Sequence, residues 1–184
     1  MNYVTDFADQ AVMLQVIVVM ALTLGVLGWW RGAVAWLLAV GASFATVLVL
    51  KLLFVACGPA LGVPALRSPS GHAAAAAILA GGVAVVMGTS RRRVAAVAGL
   101  AALVIGATRL ALGLHTTTEV IVGGVLGVAG AVGFARTAGP EPALRLRWLF
   151  VVMMVVTLLL HGHHLNAEAH IRAATAALRV CTDA

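Results

Sequence analysis

The sequence predicts an all-α, polytopic membrane protein that folds as a single domain over residues 1–184. Of its residues, 62% are hydrophobic and 10% are charged, and the mean hydropathy is +1.08. Soluble domains are about 45–50% apolar and about 25% charged, so this composition excludes a water-soluble globular protein, a disordered chain and a disulfide-rich scaffold. The formal charge of +6 does not indicate nucleic-acid binding, because the basic residues lie in short gaps between apolar runs.

Six stretches of the chain qualify, or nearly qualify, as transmembrane helices. A helix needs about 20 apolar residues to cross about 30 Å of hydrocarbon. The first stretch is not a signal peptide, because the acidic Asp6 and Asp9 precede it where a signal peptide carries basic residues. The predicted spans are 11–30, 33–57, 71–88, 94–113, 118–135 and 148–163.

The arginines predict the orientation of these six spans. Cytoplasmic loops of membrane proteins are enriched in Lys and Arg, and alternate gaps between the spans contain Arg31, Arg91, Arg92, Arg93, Arg136, Arg145 and Arg147. We therefore expect both termini, the 58–70 loop, the 114–117 turn and a tail at 165–184 to lie on the outer side.

We assign the glycines of the fifth span to helix packing and assign no function to the two cysteines. The fifth span contains five glycines, which allow helix backbones to approach closely inside a bilayer: Gly123, Gly124, Gly127, Gly130 and Gly133. We interpret Cys57 and Cys181 as free thiols; a disulfide between them requires both ends to face an oxidising compartment.

A set of polar residues gathers at the predicted outer ends of the middle spans. Lys51, Arg109 and Glu119 lie within or at the start of apolar spans, where a charge costs at least about 2.5–3.5 kcal/mol on insertion scales and so indicates function. Each could instead snorkel to the interface. The same outer face receives Arg67, Pro69, Ser70, Gly71, His72, Thr108 and His115.

These residue types favour phosphate chemistry. The start of a helix offers free N–H groups and a favourable dipole to an anion, and three cations add positive charge. Two histidines indicate phosphoryl transfer, one attacking and one protonating the leaving group. His115 and Glu119 are four residues apart, so they share a face if the helix begins before His115, and the carboxylate then orients the imidazole. The alternative is a capping box formed by Thr116 and Glu119, and the two roles do not exclude each other.

The spacing of these residues resembles the signature of the type 2 phosphatidic acid phosphatase (PAP2) superfamily, in its membrane lipid phosphatase branch. That signature is K-x6-R-P, then P-S-G-H, then S-R-x5-H-x3-D. The second block is complete as Pro69-Ser70-Gly71-His72, and the third keeps its spacing as Thr108-Arg109, His115 and Glu119. The first block has Lys51 but Gly58-Pro59 in place of Arg-Pro. The resemblance covers residues 33–135, a four-helix PAP2-like catalytic core, and leaves span 148–163 as an extra C-terminal helix.

The resemblance implies a role for each matching residue. His115 would be the nucleophile that forms a phosphohistidine, Glu119 would orient it, and His72 would be the general acid. The phosphate oxygens would be held by Lys51, Ser70, Gly71, Arg109 and Thr108, without a metal or other cofactor.

Three departures from the family pattern bear on activity. Gly58 carries no charge where the family has arginine, and Arg67 from the same outer loop is our candidate to compensate. Thr108 adds a methyl group to the family's serine, and Glu119 is one methylene longer than the family's aspartate.

Outside the family blocks, the cluster His161-Gly162-His163-His164 is interpreted as a solvated end of the last span, with metal binding or pH sensing as alternatives.

The sequence therefore predicts a bacterial inner-membrane lipid phosphatase with its site open to the periplasm or cell exterior. Polyprenyl diphosphates such as undecaprenyl diphosphate are the first choice of substrate, ahead of phosphatidic acid, phosphatidylglycerol phosphate and lipid A phosphates. Two alternatives remain open. One is a lipid-to-lipid phosphotransferase, and the other is a catalytically degenerate protein that binds a phospholipid or a membrane partner, with the glycine-rich span as a docking face for a partner or a second copy.

Overall fold

The computed structural model describes residues 10–57 and 68–140, together with residues 151, 154 and 155. This part of the chain is helical and contains no strand. Its five helices are α1 (Gln10–Val26), α2 (Trp30–Cys57), α3 (Gly71–Val86), α4 (Arg91–Ala111) and α5 (Thr117–Thr137). The expected all-α architecture is confirmed. The predicted sixth span at 148–163 and the tail at 165–184 lie outside the described residues, so the six-span count is not confirmed.

Three of the five helices are long and apolar enough to cross a membrane, namely Trp30–Val55 within α2, Arg91–Ala111 and Thr117–Thr137. Helices α1 and α3 are apolar but have only 17 and 16 residues. Both end before the predicted boundary of their span: α1 ends at Val26 instead of residue 30, and α3 ends at Val86 instead of residue 88. The helices together indicate a membrane-associated protein.

An aromatic cluster holds α1, α2 and α5 together in one half of the bundle. Trp36 is fully buried, and its ring packs edge-on against that of Phe134 with the centroids 5.4 Å apart. The indole N–H of Trp36 donates a hydrogen bond to the Ile17 carbonyl oxygen at 3.0 Å. An aromatic pair adds about 0.5–1.5 kcal/mol beyond its buried area, so this pair stabilises the packing of α2 against α5, and the hydrogen bond joins α1 to them.

The exposed arginines lie at the same end of the bundle as this cluster. The Arg31 side chain at the start of α2 donates to the Thr137 carbonyl oxygen at the end of α5, at 3.4 Å. Arg136 lies one residue before that contact, and three further arginines begin α4. All five are exposed: Arg31, Arg91, Arg92, Arg93 and Arg136. The opposite end therefore receives the C-terminus of α2, the start of α3, the end of α4 and the start of α5.

Two glycines of α5 allow it to lie directly against the backbone of α3. A side chain at Gly123 would overlap the Ser70 carbonyl oxygen, and one at Gly127 would overlap the Ala74 carbonyl oxygen. The prediction that the glycine-rich span permits close helix packing is confirmed within this chain. The predicted use of this span to dock a partner or second copy stays a prediction.

We expect Gly127→Ala to destabilise the protein by at least about 2 kcal/mol, because the new methyl group would overlap backbone that cannot rotate away. The matched control is Gly133→Ala in the same helix, where an added Cβ meets nothing within 4 Å and alanine has the better helix propensity. Thermal unfolding of both proteins in the same detergent measures the difference. Equal melting temperatures for the two variants would contradict the close α3–α5 contact.

Candidate active site

The start of α3 forms an N-terminal cap at the end of the bundle opposite the arginines. Ser70 is fully buried and is the N-cap residue, and its hydroxyl accepts a hydrogen bond from the Ala73 N–H at 3.4 Å. Gly71 is the buried first residue of the helix, and the partly buried His72 follows it. The first N–H groups of a helix have no partner in their own helix, so this end of α3 presents donors suited to an anion.

The Glu119 carboxylate, in the first turn of α5, bonds to the segment before α3 and to the turn between α4 and α5. Its residue is only 5% exposed, and one carboxylate oxygen, Oε1, accepts a hydrogen bond from the Ser68 N–H at 2.8 Å. The other, Oε2, lies 3.0 Å from the His115 Nδ1 and accepts from the Thr116 N–H at 3.0 Å. Both oxygens are therefore used, and the carboxylate is held in one orientation.

The structure gives Glu119 both of the roles that the spacing left open. The Thr116 hydroxyl accepts from the Glu119 N–H while the Glu119 carboxylate accepts from the Thr116 N–H, which is a complete capping box. The contact with His115 exists as well, although α5 begins at Thr117 and not before His115 as the shared-face argument required. The reason is that a capping-box carboxylate folds back past the N-cap, which brings it to the residue before the cap.

Backbone contacts fix the α3 cap against the first turn of α5. The Ser70 N–H donates to the Glu119 carbonyl oxygen at 2.9 Å, and the absence of a side chain at Gly123 admits the Ser70 carbonyl. The Pro69-Ser70-Gly71-His72 segment and the His115–Glu119 pair therefore meet, as the sequence predicted.

Two of the three cations expected at the site lie in the described residues, Lys51 on α2 and Arg109 on α4. Lys51 is in the last two turns of α2 and only 3% exposed, so it does not snorkel to the interface. Arg109 is partly buried in the last turn of α4. Thr108, beside it, donates its hydroxyl to the Ile105 carbonyl oxygen at 2.7 Å, which ties that proton to its own helix.

Ser68 is a site residue that the sequence analysis missed. Its N–H anchors the Glu119 carboxylate, and its hydroxyl is buried with no hydrogen-bond partner among the described residues. The available signal was Pro69, because the residue before a proline is held in extended backbone. A residue in extended backbone has no helical partner for its N–H, and the Ser68 N–H bonds to Glu119 instead.

Other predicted residues lie outside the described part of the chain. These are Arg67, Gly58, Pro59 and the cluster at 161–164, whose expected roles stay predictions.

The interpretation of Cys57 as a free thiol is wrong, because Cys57 is disulfide-bonded at the buried end of α2. Among the described residues, no group of three or more His, Cys, Asp or Glu could hold a metal ion.

Comparison with known proteins gives one match. The model of the PAP2 superfamily matches residues 32–143, which include α3 to α5, all of α2 except its first two residues, and every described residue of the site. No curated protein and no solved structure matches the chain significantly.

Proposed function

Because the chain belongs to the PAP2 superfamily, whose members are in general phosphoesterases that often act on lipids, we propose that it hydrolyses the phosphate ester or anhydride of a membrane lipid. The observation that carries this proposal is the 3.0 Å contact between His115 and Glu119 beside the capped start of α3. That arrangement combines an oriented imidazole with a helix end suited to an anion.

His115 is the proposed nucleophile. Its Nδ1–H donates to the Glu119 carboxylate, which leaves the lone pair of Nε2 free to attack phosphorus; this assigns the tautomer from its hydrogen bond. As the Nε2–P bond forms, the bond between phosphorus and the leaving oxygen breaks. The carboxylate also stabilises the positive charge that develops on the imidazole ring.

His72 is the proposed general acid. Its protonated ring donates a proton to the leaving oxygen, which departs as an alcohol or as a lipid monophosphate. The neutral ring then accepts a proton from a water molecule as that water attacks the phosphohistidine. The N–P bond breaks, inorganic phosphate leaves, and both histidines return to their starting protonation states.

Lys51, Arg109 and the start of α3 are the proposed ligands of the phosphate oxygens. Charge-assisted hydrogen bonds of this kind are about twice as strong as neutral ones. Preorganised donors that face the charge developing in a transition state contribute more than donors in water do. Ser70 and Gly71 supply the N-terminal end of α3, and Arg67 is proposed to supply the charge that Gly58 lacks.

We further place the site at the outer face of a bacterial cytoplasmic membrane. Two observations support this orientation. The five exposed arginines of the described residues lie at the opposite end, where the positive-inside rule puts the cytoplasm. Cys57, at the site end of α2, is disulfide-bonded, and disulfides persist in oxidising compartments.

The proposed substrate has its phosphate at the membrane surface and its tail in lipid. The described connections between α3 and α4 and between α4 and α5 are only a few residues long, so they add little surface to recognise a soluble substrate. Polyprenyl diphosphate is the first choice, followed by phosphatidic acid, phosphatidylglycerol phosphate and lipid A phosphates.

The test is phosphate release by purified protein in nanodiscs without added metal. A polyprenyl diphosphate and phosphatidic acid are offered in parallel, and the His115→Ala protein serves as the blank. We expect release from at least one lipid by the wild type, and the preferred lipid identifies the substrate class.

Two results would overturn the proposal. A phosphorylated acceptor lipid in place of free phosphate would identify a phosphotransferase. No turnover of any lipid by folded protein, with lipid binding that survives in His115→Ala, would identify a binding protein.

A further inference from the structure

A groove of about 500 Å³ runs along the exposed side of α4 and α5, and every side chain that lines it is apolar. Its floor is formed where the two helices pack closely, since a Cβ at Gly124 would lie 3.1 Å from that of Ala102. Its walls are formed by Leu103 on α4 and Val125 on α5, which are 70% and 61% exposed. The small residues of its floor and the larger residues of its walls make this groove narrow.

One end of this groove adjoins the candidate active site. Val120, which lines it, follows Glu119 directly in α5 and packs over Gly106 of α4. The lining continues along α5 as far as Val132. At a rise of 1.5 Å per residue, that distance is about 18 Å, close to the thickness of one leaflet, which is about half of a 30 Å hydrocarbon core.

We propose that this groove holds one hydrocarbon chain of the lipid phosphate substrate, an inference that rests on the proposed function. The charge pattern matches such an amphiphile: Arg109 at the end of α4 and the start of α3, two of the proposed phosphate ligands, lie at one end, and the groove beyond it has no polar side chain. The length matches a single chain in the outer leaflet. A helix from a second copy would instead cross both leaflets, whereas the groove ends after about one.

Binding is tested directly by photolabelling. A single-chain lipid phosphonate, which the enzyme cannot hydrolyse, carries a photoreactive group at the far end of its chain. The same chain with a neutral hydroxyl headgroup is the control probe. In wild-type protein we expect the phosphonate to label the deep end of the groove, near Gly99 and Val132, several-fold more than the neutral probe does.

Chain-length selectivity provides the second readout. Gly99 lines the deep end of the groove, and an added Cβ there meets nothing within 4 Å. The Gly99→Phe substitution therefore fills the groove without an internal clash. Gly41→Phe is the matched control, because Gly41 is equally open but lies on α2 outside the groove. For Gly99→Phe we expect the KM of a long-chain prenyl diphosphate to rise about tenfold, with a short-chain diphosphate unaffected. A tenfold rise in KM is at the low end of the effects that steric changes in an apolar pocket produce. We expect a small effect because the displaced hydrocarbon chain enters lipid and not water.

The outcomes separate this inference from the proposed function. Equal labelling by the two probes would show that bulk lipid covers the groove and would overturn the inference, even if the enzyme turns over. The inference is also overturned if Gly99→Phe alters the oligomeric state while labelling stays independent of the headgroup, because a second copy then covers this face. Headgroup-dependent labelling that Gly99→Phe abolishes supports the groove even if no lipid is hydrolysed, and in that case only the proposed function fails.

Discussion

Replacement of His115 by alanine is expected to lower phosphate release by at least about 10⁴-fold. The imidazole is the only side chain in the proposed mechanism that bonds to phosphorus, and removal of a catalytic nucleophile typically costs several orders of magnitude. The structure supports this choice, because the carboxylate of Glu119 lies 3.0 Å from Nδ1 and leaves Nε2 for attack. The measurement is phosphate release in nanodiscs, with thermal unfolding used to show that the variant remains folded.

The matched control for His115→Ala is His72→Ala, which removes the other histidine of the site. We expect this variant to lose turnover of lipid substrates but still to form the phosphohistidine from an aryl phosphate, whose leaving group needs little protonation. Radiolabelled phosphate on acid-sensitive, base-stable sites reports that intermediate. Labelling of His115→Ala to the wild-type level would exclude His115 as the nucleophile.

Glu119→Gln is expected to reduce kcat by up to about 10⁴-fold, the loss that follows when the carboxylate orienting a catalytic histidine loses its charge. The amide keeps one oxygen, but its NH₂ group cannot accept the hydrogen bonds that the second carboxylate oxygen accepts. At least one of the Ser68, Thr116 and His115 donors then loses its acceptor, and an unsatisfied buried donor costs about 1–3 kcal/mol. Phosphate release and thermal unfolding measure the two effects separately.

Two further variants separate the capping role of Glu119 from its orienting role. Thr116→Ala removes the hydroxyl that caps α5 and leaves the carboxylate, so we expect a stability loss of about 1 kcal/mol with kcat changed only slightly. Glu119→Asp keeps the charge and restores the family's residue type, but its shorter side chain cannot maintain all three contacts. Its loss of kcat is therefore expected to be smaller than that of Glu119→Gln. If Thr116→Ala reduced kcat as much as Glu119→Gln does, the cap alone would explain the importance of Glu119.

Helix identity was predictable from the sequence because apolar runs and short polar gaps are local signals. The runs at 33–57, 94–113 and 118–135 each lie within three residues of the bounds of a described helix. The run at 71–88 agrees with α3 within two residues, whereas the run at 11–30 extends four residues beyond the end of α1 at Val26. The end of α1 depends on the turn that follows it, and hydropathy carries little information about turns.

The sequence alone determined the class of the protein and the identity of the candidate site residues other than Ser68, since composition, spacing and motif order are properties of the chain. Two features were decided only by the tertiary structure. Ser68 binds Glu119 across 51 positions of the chain, and the apolar groove exists only where α4 and α5 pack side by side. The contact between Ser68 and Glu119 joins segments that are remote in sequence, so no local pattern specifies it. The groove depends on how closely the consecutive helices α4 and α5 pack, which small residues such as Ala102 and Gly124 permit but do not specify.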